Sequence, residues 1–573
     1  MNAPADLTPH TPTTGPRVVI VGGVAAGMSA ATRLRRLDET AQIIVFEQGR
    51  YVSFANCGLP YYVGGVIAER DSLLLQTPAS LRARFALDVR VEHEVVGIDR
   101  AARTVTARDA ATGATVVEPY DHLILATGAA PRERAAAIAG APPVVTLRTV
   151  DDVDRITAVL TEIDDRRGRA VVMGAGFIGL EATENLVRRG LDVTLVQQSA
   201  RPFMPLDPEM AAPVIEALAS HGVDVRTGTT VDALDAVGAH LSDGTVVTAD
   251  LVVDARGVAP AADLARAAGL AIGATGGVVV DGHQRTEDPR IFAVGDTAEK
   301  MDAVSGATTL VTMAGLANRH GRAAADVIAW ENGRLDAAPR AAAPALGTAI
   351  IGLFDVTVAM VGWSEQRLIA AGRAHRVIHT HPTDHAGYYP GAQRMAMKVM
   401  VDPLSGLILG AQIVGGNGVD KRIDVIATAM HTGLPAAELA HLELAYAPQY
   451  ASAKDPVNMV GYVAENLATG LSETVQWHEL ATAVAGGATL IDVRSPQEFA
   501  AGAIPGSVNI PVDALRDGLA TLPEGALIVH CQVGQRGHTA ARILAQLGRP
   551  ARNLDGGYLT WKAGAAVTAL QPA

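Results

Sequence analysis

Two stretches of the chain repeat one local pattern, and this repetition limits the possible folds more than any other feature. In each, a short apolar strand leads into a glycine-rich turn, a helix and a second apolar strand. The first stretch starts with VVIVGG after Arg17, and the second is AVVMGAGFIGLEATENLVRRG followed by DVTLVQQ. Such turns let a backbone approach a pyrophosphate, whose charge the helix N-terminus favours. The repeat predicts two βαβ units and hence two nucleotide-binding domains.

Length and composition define the broad class. At roughly 100–200 residues per domain, 573 residues predict three to five domains. The net charge is −13 and no Lys/Arg run occurs, so we expect no nucleic-acid partner. No apolar stretch approaches the roughly 20 residues that span a bilayer, so we expect no membrane association. Residues 1–15 are rich in Pro and Thr and predict a disordered tail rather than a signal peptide. With only two cysteines, a disulfide-stapled secreted protein is not expected, and we predict a cytoplasmic protein.

Cys57 lies in SFANCGLPYY, shortly after the first βαβ unit. No second cysteine lies within five residues, so an internal dithiol couple cannot form there. A single thiol has to form a mixed disulfide, a persulfide or a sulfenate. The alternative is a buried, inert cysteine.

The turns and strand ends supply candidate cofactor contacts. The first turn departs from a strict G-x-G-x-x-G at Val24, whereas the second keeps it. Glu47 ends the strand after the first turn, where a carboxylate can accept from ribose hydroxyls. Gln197 stands at the corresponding place after the second turn, so NADH versus NADPH stays open. Arg201 could assist a phosphate, although we expect it to be solvated. The predicted cofactor-binding residues are Gly22, Ala25, Ala26, Gly27, Glu47, Thr127, Gly128, Gly174, Gly176, Phe177, Ile178, Gly179, Glu181, Gln197, Gly257, Gly295 and Asp296.

The combined motifs resemble one family. These are VIVGGVAAGMSAATRLRRLD, SFANCGLPYY, ATGAAPR, GAGFIGLE, FAVGD, HAGYYPGA, GVDKRIDVIATAM and LAYAPQYASAKDPVNM, spanning Arg17 to about Asn466. They are similar to the single-cysteine pyridine nucleotide–disulfide oxidoreductases, and more narrowly to coenzyme A–disulfide reductases fused to rhodanese, also described as NADH-dependent persulfide reductases. The resemblance implies FAD in the first domain, NAD(P)H in the second, a C-terminal dimerisation domain and Cys57 as redox nucleophile.

The same resemblance implies a coenzyme A site. Arg33 and Arg36 lie one turn apart on the first predicted helix, so both can face one phosphate-bearing ligand; the alternative is a solvated helix face. The positions that the family uses for coenzyme A are Ser29, Arg33, Arg36, Ser53, Asn56, Asn318 and Lys454. Tyr388 and Tyr446 match two active-site tyrosines that reach across a dimer interface, the alternative being core or interface aromatics.

Cys531 lies in HCQVGQRGHTAARIL, between a predicted strand and a predicted helix. The loop from Gln532 to Gly537 can direct N–H groups at the cysteine, and Arg536 adds positive charge, which together stabilise a thiolate or persulfide. The loop, DVRSPQEF, IPGS and LDGGY resemble rhodanese signatures, although Ala503 replaces the familiar histidine. We therefore expect an active sulfurtransferase-like site, with Arg536 binding substrate.

The predicted fold class is α/β, with two Rossmann-like nucleotide-binding domains, an α+β dimerisation domain and a C-terminal α/β rhodanese-like domain. The predicted bounds are a disordered tail at 1–15, an FAD-binding domain at 16–133 and 256–335, an NAD(P)H-binding domain at 134–255, a dimerisation domain at 336–466, a linker at 467–474 and the rhodanese-like domain at 475–573.

The predicted activity is NAD(P)H-dependent, FAD-dependent cleavage of sulfur–sulfur bonds at Cys57, in a homodimer. Coenzyme A persulfide is the favoured substrate, followed by coenzyme A disulfide or a polysulfide. Cys531 would exchange sulfane sulfur with a carrier such as thiosulfate, a polysulfide or coenzyme A. Two alternatives remain: an NADH oxidase or peroxidase that cycles Cys57 through sulfenate, and a non-catalytic redox sensor or sulfur carrier. The sixteen histidines show no ligand spacing, and we predict no metal.

Overall fold

A computed structural model describes residues 15–132, 140–163, 167–519 and 522–569. Nearly all of the predicted tail, 1–14, lies outside the described residues. The chain divides into two units. The first takes in the described residues of Met1–Ala137, Pro143–Arg167 and Asp250–Ala345, and the second those of Ile138–Pro142, Gly168–Ala249 and Leu346–Ala573.

The helices, in chain order, are α1 (Ala25–Leu37), α2 (Leu59–Val63), α3 (Pro78–Phe85), α4 (Val150–Glu162), α5 (Phe177–Arg188), α6 (Pro208–Ser220), α7 (Asp263–Ala267), α8 (Ala314–Glu331), α9 (Glu365–Ala370), α10 (Val419–Thr432), α11 (Pro456–Ala468), α12 (Leu480–Ala485), α13 (Pro496–Ala500), α14 (Gln535–Gln546) and α15 (Gly557–Ala569). Among these described helices, none combines the length and the apolar character needed to span a bilayer.

The strands are β1 (Arg17–Val21), β2 (Gln42–Phe46), β3 (Asp88–Arg90), β4 (His93–Asp99), β5 (Thr104–Asp109), β6 (Thr115–Pro119), β7 (His122–Leu125), β8 (Ala129–Pro131), β9 (Val144–Val145), β10 (Arg169–Met173), β11 (Asp192–Gln197), β12 (Asp224–Thr227), β13 (Val231–Leu234), β14 (Ala239–Leu241), β15 (Val246–Val247), β16 (Leu251–Asp254), β17 (Val258–Pro260), β18 (Ile291–Ala293), β19 (Lys300–Met301), β20 (Thr308–Thr309), β21 (Ala349–Leu353), β22 (Val356–Gly362), β23 (Arg376–Thr380), β24 (Met395–Val401), β25 (Ile408–Gly415), β26 (Thr474–Val475), β27 (Thr489–Asp492), β28 (Val508–Asn509), β29 (Leu527–His530) and β30 (Ala551–Leu554).

The first unit is built on a parallel sheet with strand order β18-β7-β1-β2-β3. Both faces of its central strand are covered: Val18 and Ile20 pack with α1 and α8, while Val19 and Val21 pack with β5 on the other side. This double burial explains why β1 reads as a continuous apolar run. The sheet places the first glycine turn at the carboxyl end of β1, where ligands bind in doubly wound folds.

Helices α1 and α8 pack closely against one another in the first unit. At Gly321 on α8, an added Cβ would lie 2.1 Å from the Ala26 carbonyl oxygen on α1. The glycine therefore permits a backbone approach that a larger residue would block. This packing brings residues of α8 beside the face of α1 that starts at the first glycine turn.

In the second unit, β10, β11 and β12 form parallel neighbours, with α5 after β10 and α6 before β12. The predicted second strand–turn–helix–strand unit is present. An antiparallel sheet follows, in the order β21-β22-β25-β24-β23, and α10 and α11 pack on it. This arrangement confirms the α+β pattern expected before residue 466.

The C-terminal part of the second unit is a parallel sheet with order β26-β30-β29-β27-β28. Strand β29 is wholly buried and delivers Cys531 at its carboxyl end. The predicted linker 467–474 includes the last two residues of α11 and the first of β26, so only 469–473 connect the two elements. The α/β class predicted from the sequence is confirmed.

Candidate functional site

The first glycine turn lies between β1 and α1. Gly22 has φ +106°, and a Cβ on Gly27 would lie 1.8 Å from the Gly22 carbonyl oxygen. Both positions therefore require glycine. The Glu47 carboxylate ties the turn to β2 by accepting hydrogen bonds from the N–H groups of Gly23 at 2.7 Å and Gly49 at 2.8 Å. Burial raises the pKa of Glu47, against the effect of these hydrogen bonds. The glycines let a ligand approach the backbone of the turn closely, so the turn forms a cradle that suits a dinucleotide phosphate.

Asp296 lies beside this turn in the first unit. A Cβ on its neighbour Gly295 would be 3.0 Å from the Ala26 Cβ in the first turn of α1. Burial raises the pKa of Asp296, while the charges of Lys300 and Arg148 oppose the rise. The predicted GD segment and the first glycine turn thus belong to one site.

Two further predicted cofactor residues directly precede the strands of a two-stranded antiparallel sheet. Gly128 precedes β8 and Gly257 precedes β17, with φ of +71° and +102°. The Thr127 hydroxyl donates to the Ala261 carbonyl at 2.7 Å, which joins the two connections. The predicted Ala25 opens α1, and Ile178 and Glu181 lie in α5.

Cys57 is exposed, in a single 3-10 turn just before α2. Its segment is tethered to the first glycine turn, because the Ser53 N–H donates to the Gly23 carbonyl at 2.8 Å. Ser53 has φ +52°, an uncommon conformation for a residue with a side chain. The Asn56 side chain donates to the Arg148 carbonyl at 2.6 Å. The structure therefore holds the thiol segment beside the predicted dinucleotide cradle, and Cys57 is exposed rather than buried as the alternative required.

Four of the predicted coenzyme A contacts lie along α1 and α8 of the first unit, namely Ser29, Arg33, Arg36 and Asn318. The Ser29 hydroxyl donates to Asn318 Oδ1 at 2.5 Å, which joins the two helices. Arg33 is ion-paired with Asp326 on α8, at 2.6 Å, and Arg36 is exposed over the Phe85 ring at 5.6 Å. The two arginines share one side of α1; Arg33 is paired with a carboxylate there, whereas Arg36 is exposed. Lys454 belongs to the second unit and is exposed.

The second glycine turn lies between β10 and α5. Gly174 has φ +98°, and a Cβ on Gly176 would meet no heavy atom within 4 Å. Gln197 Oε1 accepts from the Ala175 N–H at 2.8 Å, and its Nε2 donates to the Ser199 hydroxyl at 2.9 Å. The amide therefore links turn and strand in the same way as Glu47 does in the first unit, without its charge. The open space at Gly176 suits the close approach of a dinucleotide.

Arg201 is not solvated, contrary to the expectation from the sequence. It is buried, and its Nη2 donates to the Leu206 carbonyl at 2.5 Å and to Gln366 Oε1 at 2.7 Å. Burial lowers its pKa, against the charges of Asp207 and Glu209. Phe203, in the same loop after β11, places its ring edge-to-face with the Phe177 ring, and the two ring centroids lie 4.8 Å apart. The hydrogen bonds of Arg201 to protein groups make it a structural residue.

Tyr388 and Tyr446 come together, although 58 residues separate them in the chain. Their phenol oxygens lie 3.0 Å apart in a hydrogen bond, and both side chains are exposed. This hydrogen bond raises the pKa of Tyr388. Because both side chains are exposed, they are not core aromatics. The two phenols are free to contact a bound ligand or to lie at an interface.

The Cys531 loop follows β29 and leads into α14. The backbone N–H groups of Tyr558 and Leu559 donate to the carbonyls of Cys531 and Gln532 at 2.8 and 3.0 Å. The loop turns at Gly534, which has φ +89°. Cys531 itself is fully buried. The segment after β30 thus fixes the backbone of the Cys531 loop through these two hydrogen bonds.

Arg536 contacts Cys531, where the sequence places a positive charge, and it is also paired with a carboxylate. Its two terminal nitrogens donate to Glu498 at 2.8 and 2.6 Å. Glu498 lies three residues after Ser495 at the start of α13, where the two residues form a capping box. Both Glu498 and Arg536 lie in the rhodanese-like motifs of the sequence, but only the fold shows that they form an ion pair.

A buried charge network in the second unit escaped prediction from the sequence. The ammonium of Lys398, on β24, lies 3.0, 2.5 and 2.6 Å from Asp207, Glu209 and Glu365. Burial opposes its charge, but these carboxylates outweigh that and raise the pKa of Lys398. The three acids are close enough together to hold a metal ion, and the lysine supplies the cation among them instead. The sequence feature that pointed to this network is the lysine within the otherwise apolar strand AMKVMVD.

Comparison with known proteins identifies the scaffold. The family described as pyridine nucleotide-disulphide oxidoreductase matches residues 16–312, its dimerisation domain matches 348–456, and the rhodanese-like domain matches 476–564. The chain belongs to the pyridine nucleotide–disulphide oxidoreductase family. A coenzyme A disulfide reductase of Staphylococcus haemolyticus is 33% identical over 451 residues, which cover 79% of this chain and 100% of the relative.

Two solved structures are similar over nearly the whole chain. Reduced Bacillus anthracis CoADR-RHD has a TM-score of 0.92 and 45% identity, and the match covers 96% of this chain and 98% of that one. An NAD-dependent persulfide reductase from A. fulgidus has a TM-score of 0.86 and 36% identity, covering 95% and 100%. Members of this oxidoreductase family use FAD and NAD(P)H, and the two glycine cradles described above fit two dinucleotides. The resemblance stated from the sequence, and the enzyme class it implied, are confirmed.

Proposed function

We propose that this enzyme cleaves the sulfur–sulfur bond of coenzyme A persulfide at Cys57, with coenzyme A disulfide and polysulfides as further substrates. The observation that carries the proposal is the tether between the Cys57 segment and the first glycine turn, through Ser53 and Gly23 at 2.8 Å. It supports a thiol poised beside the first bound dinucleotide. The similar coenzyme A disulfide reductase and persulfide reductase support the substrate class. Neither the oxidase nor the sensor alternative is favoured by these relatives.

The chemical steps at Cys57 conserve atoms and charge. The thiolate attacks the outer sulfur of coenzyme A persulfide, which breaks the sulfur–sulfur bond and releases coenzyme A as a thiolate. Cys57 then carries the persulfide. The two glycine turns would hold FAD and NAD(P)H, which would supply the two electrons needed to return Cys57 to the thiolate and free the sulfur as hydrosulfide. With coenzyme A disulfide, the same attack releases one coenzyme A thiolate and leaves a mixed disulfide on Cys57. Two-electron reduction of that mixed disulfide then releases the second coenzyme A thiolate and restores the Cys57 thiolate.

The predicted contact residues of the first unit are proposed to hold the coenzyme A portion. Arg36 is exposed on α1 and can pair with a phosphate, and Arg33 can do so by sharing its charge with Asp326. Ser29, Asn318 and Asn56 offer hydrogen bonds beside them. We also propose that the chain works as a homodimer in the cytoplasm, in which Tyr388, Tyr446 and Lys454 complete the partner's site. The exposed hydrogen-bonded phenols support a role as donors to the departing sulfur.

The C-terminal domain is proposed to exchange sulfane sulfur through Cys531 and to feed the reductase site. Covalent fusion raises the effective concentration of one site at the other. The domain bounds predicted from the sequence remain a proposal, supported by the family matches at 16–312, 348–456 and 476–564.

The decisive experiment compares Cys57→Ser with the unmodified enzyme. We expect the variant to keep its yellow flavin but to lose NAD(P)H oxidation dependent on coenzyme A persulfide by about a thousandfold, because the nucleophile is gone. Cys531→Ser is the matched control: it should still reduce coenzyme A persulfide added directly. Persulfide turnover that survives in Cys57→Ser, or oxygen consumption that exceeds persulfide reduction in the unmodified enzyme, would contradict the proposal.

A further inference from the structure

The charged side chains around Cys531 are paired with one another. Glu498 holds Arg536 through two hydrogen bonds of 2.8 and 2.6 Å. The hydrogen bond from Arg536 is the main cause that lowers the pKa of Glu498 to about 2, so the carboxylate is ionised at neutral pH. Glu498 in turn raises the pKa of Arg536, and Cys531 contributes to the same rise. The guanidinium that lies against the sulfur is therefore already paired.

The second guanidinium at the loop is paired as well. Arg494 donates to Gln532 Oε1 at 3.1 Å, and it also donates to both carboxylate oxygens of Asp492, at 3.0 and 2.6 Å. Both of these charged side chains are buried. Burial lowers the pKa of His530, the residue before Cys531, to about 4, so its ring is neutral at neutral pH. Two ion pairs and a neutral imidazole give these groups no net positive charge.

The charge of the sulfur donor decides how well it suits such a loop. Thiosulfate carries two negative charges and leaves as the sulfite dianion when a thiolate takes its outer sulfur. A persulfide of an organic thiol carries at most one charge near the reacting sulfur and leaves as a monoanionic thiolate. Unpaired cations beside the sulfur would favour the dianion over the monoanion, and the carboxylates of Glu498 and Asp492 offset the two guanidinium charges that contact the loop.

We propose that Cys531 takes sulfane sulfur from persulfides of organic thiols in preference to thiosulfate, and that Glu498 sets this preference. The proposal rests on the sulfur-transfer role of Cys531 given under the proposed function. In the reaction the Cys531 thiolate attacks the outer sulfur of the donor, a bond forms between the two sulfurs, and the donor bond breaks. The donor leaves as a thiolate and the proton of the persulfide stays on the transferred sulfur, so no oxidant or reductant is needed.

The test follows the loading of Cys531 in full-length protein that carries Cys57→Ser. Removing Cys57 separates this step from reduction, so failure here is distinguishable from failure of the reductase proposal. Glutathione persulfide or thiosulfate is added, and mass spectrometry of the Cys531 peptide measures the rate at which it gains one sulfur atom. We expect faster loading from glutathione persulfide. Faster loading from thiosulfate, measured in protein that keeps Glu498, would overturn the proposal.

The variant Glu498→Gln then removes one negative charge and keeps the shape of the side chain. The amide oxygen can still accept from the Ser495 N–H, now 3.0 Å from the carboxylate, so the capping box survives. We expect the ratio of thiosulfate to persulfide loading to rise about tenfold, because a nearby negative charge has gone. Glu524→Gln is the control, since Glu524 is exposed elsewhere in the same domain, and it should leave the ratio unchanged. An unchanged ratio in Glu498→Gln would overturn the assignment of Glu498.

Discussion

Asp555 accepts two hydrogen bonds from His379, one from its backbone N–H at 3.0 Å and one from its ring Nδ1 at 2.8 Å. The other ring nitrogen lies 3.0 Å from Glu209 Oε1. Within the second unit, this imidazole therefore joins β23 to helix α6 and to the segment that supports the Cys531 loop. Burial lowers the pKa of His379, but Asp555 and then Glu209 outweigh it and raise the pKa to about 9.

The raised pKa of His379 predicts a pH-dependent stability. A group with a higher pKa in the folded than in the unfolded state stabilises fully below the unfolded value, here about 6.5, and this contribution is lost as the pH rises through about 9. We expect His379→Gln to reduce the free energy of unfolding by about 3 kcal/mol at pH 6, because two buried carboxylates lose a partner. Thermal unfolding followed by circular dichroism measures the change.

Two results would contradict this prediction for His379. One is a loss of stability that is as large at pH 10 as at pH 6. The other is an equal loss in the control variant His431→Gln, which alters an exposed histidine in the last turn of α10.

The two cysteines differ in exposure, which predicts selective alkylation. Cys57 is exposed and Cys531 is fully buried. After reduction with dithiothreitol, we expect brief treatment with iodoacetamide to modify Cys57 at least about ten times faster than Cys531, because the reagent must reach the sulfur. Peptide mass spectrometry measures both sites in one sample. Equal rates in the folded protein would contradict the buried position of Cys531, and denaturation in guanidinium should equalise them.

The phenol pair predicts a specific loss of sulfur chemistry. In Tyr446→Phe, Tyr388 loses its hydrogen-bond partner at 3.0 Å. If the pair donates to the departing sulfur, kcat for coenzyme A persulfide should fall about tenfold, the value of one hydrogen bond to a developing charge. Flavin content should not change. Tyr450→Phe is the control, because Tyr450 is an exposed phenol nearby in the chain; an equal effect of both variants would argue against a role for the pair.

The environment of Gln197 predicts how the enzyme discriminates between NADH and NADPH. Its Oε1 accepts from the turn and its Nε2 donates to Ser199, so no negative charge stands there to repel a 2′-phosphate. We expect the enzyme to oxidise both NADH and NADPH. Gln197→Glu should keep the bond to Ala175 and lower kcat/KM for NADPH at least about tenfold relative to NADH, through repulsion. The exposed neighbour provides the control Gln198→Glu, and an unchanged ratio in Gln197→Glu would refute the role of this position.

The two nucleotide-binding units were predictable because their constraints are local. An apolar strand, a glycine turn and a helix lie within about 20 consecutive residues, and the requirement for glycine follows from backbone geometry. The structure explains the requirement at Gly27, where a Cβ would lie 1.8 Å from the Gly22 carbonyl oxygen. The same local reasoning placed Cys57 beside the first turn and Cys531 at the end of a strand.

The partners of the charged residues were not predictable in this way. Arg33 and Arg536 were expected to meet ligands, yet each has a carboxylate partner in the fold, Asp326 and Glu498. Arg201 was expected in solvent and is buried. In each case the partner comes from another element, up to 293 residues away along the chain.

The sequence by itself determined the fold class, the family and the positions of the two thiols, since these depend on residues adjacent in the chain. Only the tertiary structure decided which charges remain available, because an ion pair depends on distances between elements that no local pattern encodes. Lys398 shows the difference: the sequence places it in a strand, and folding gives it Asp207, Glu209 and Glu365.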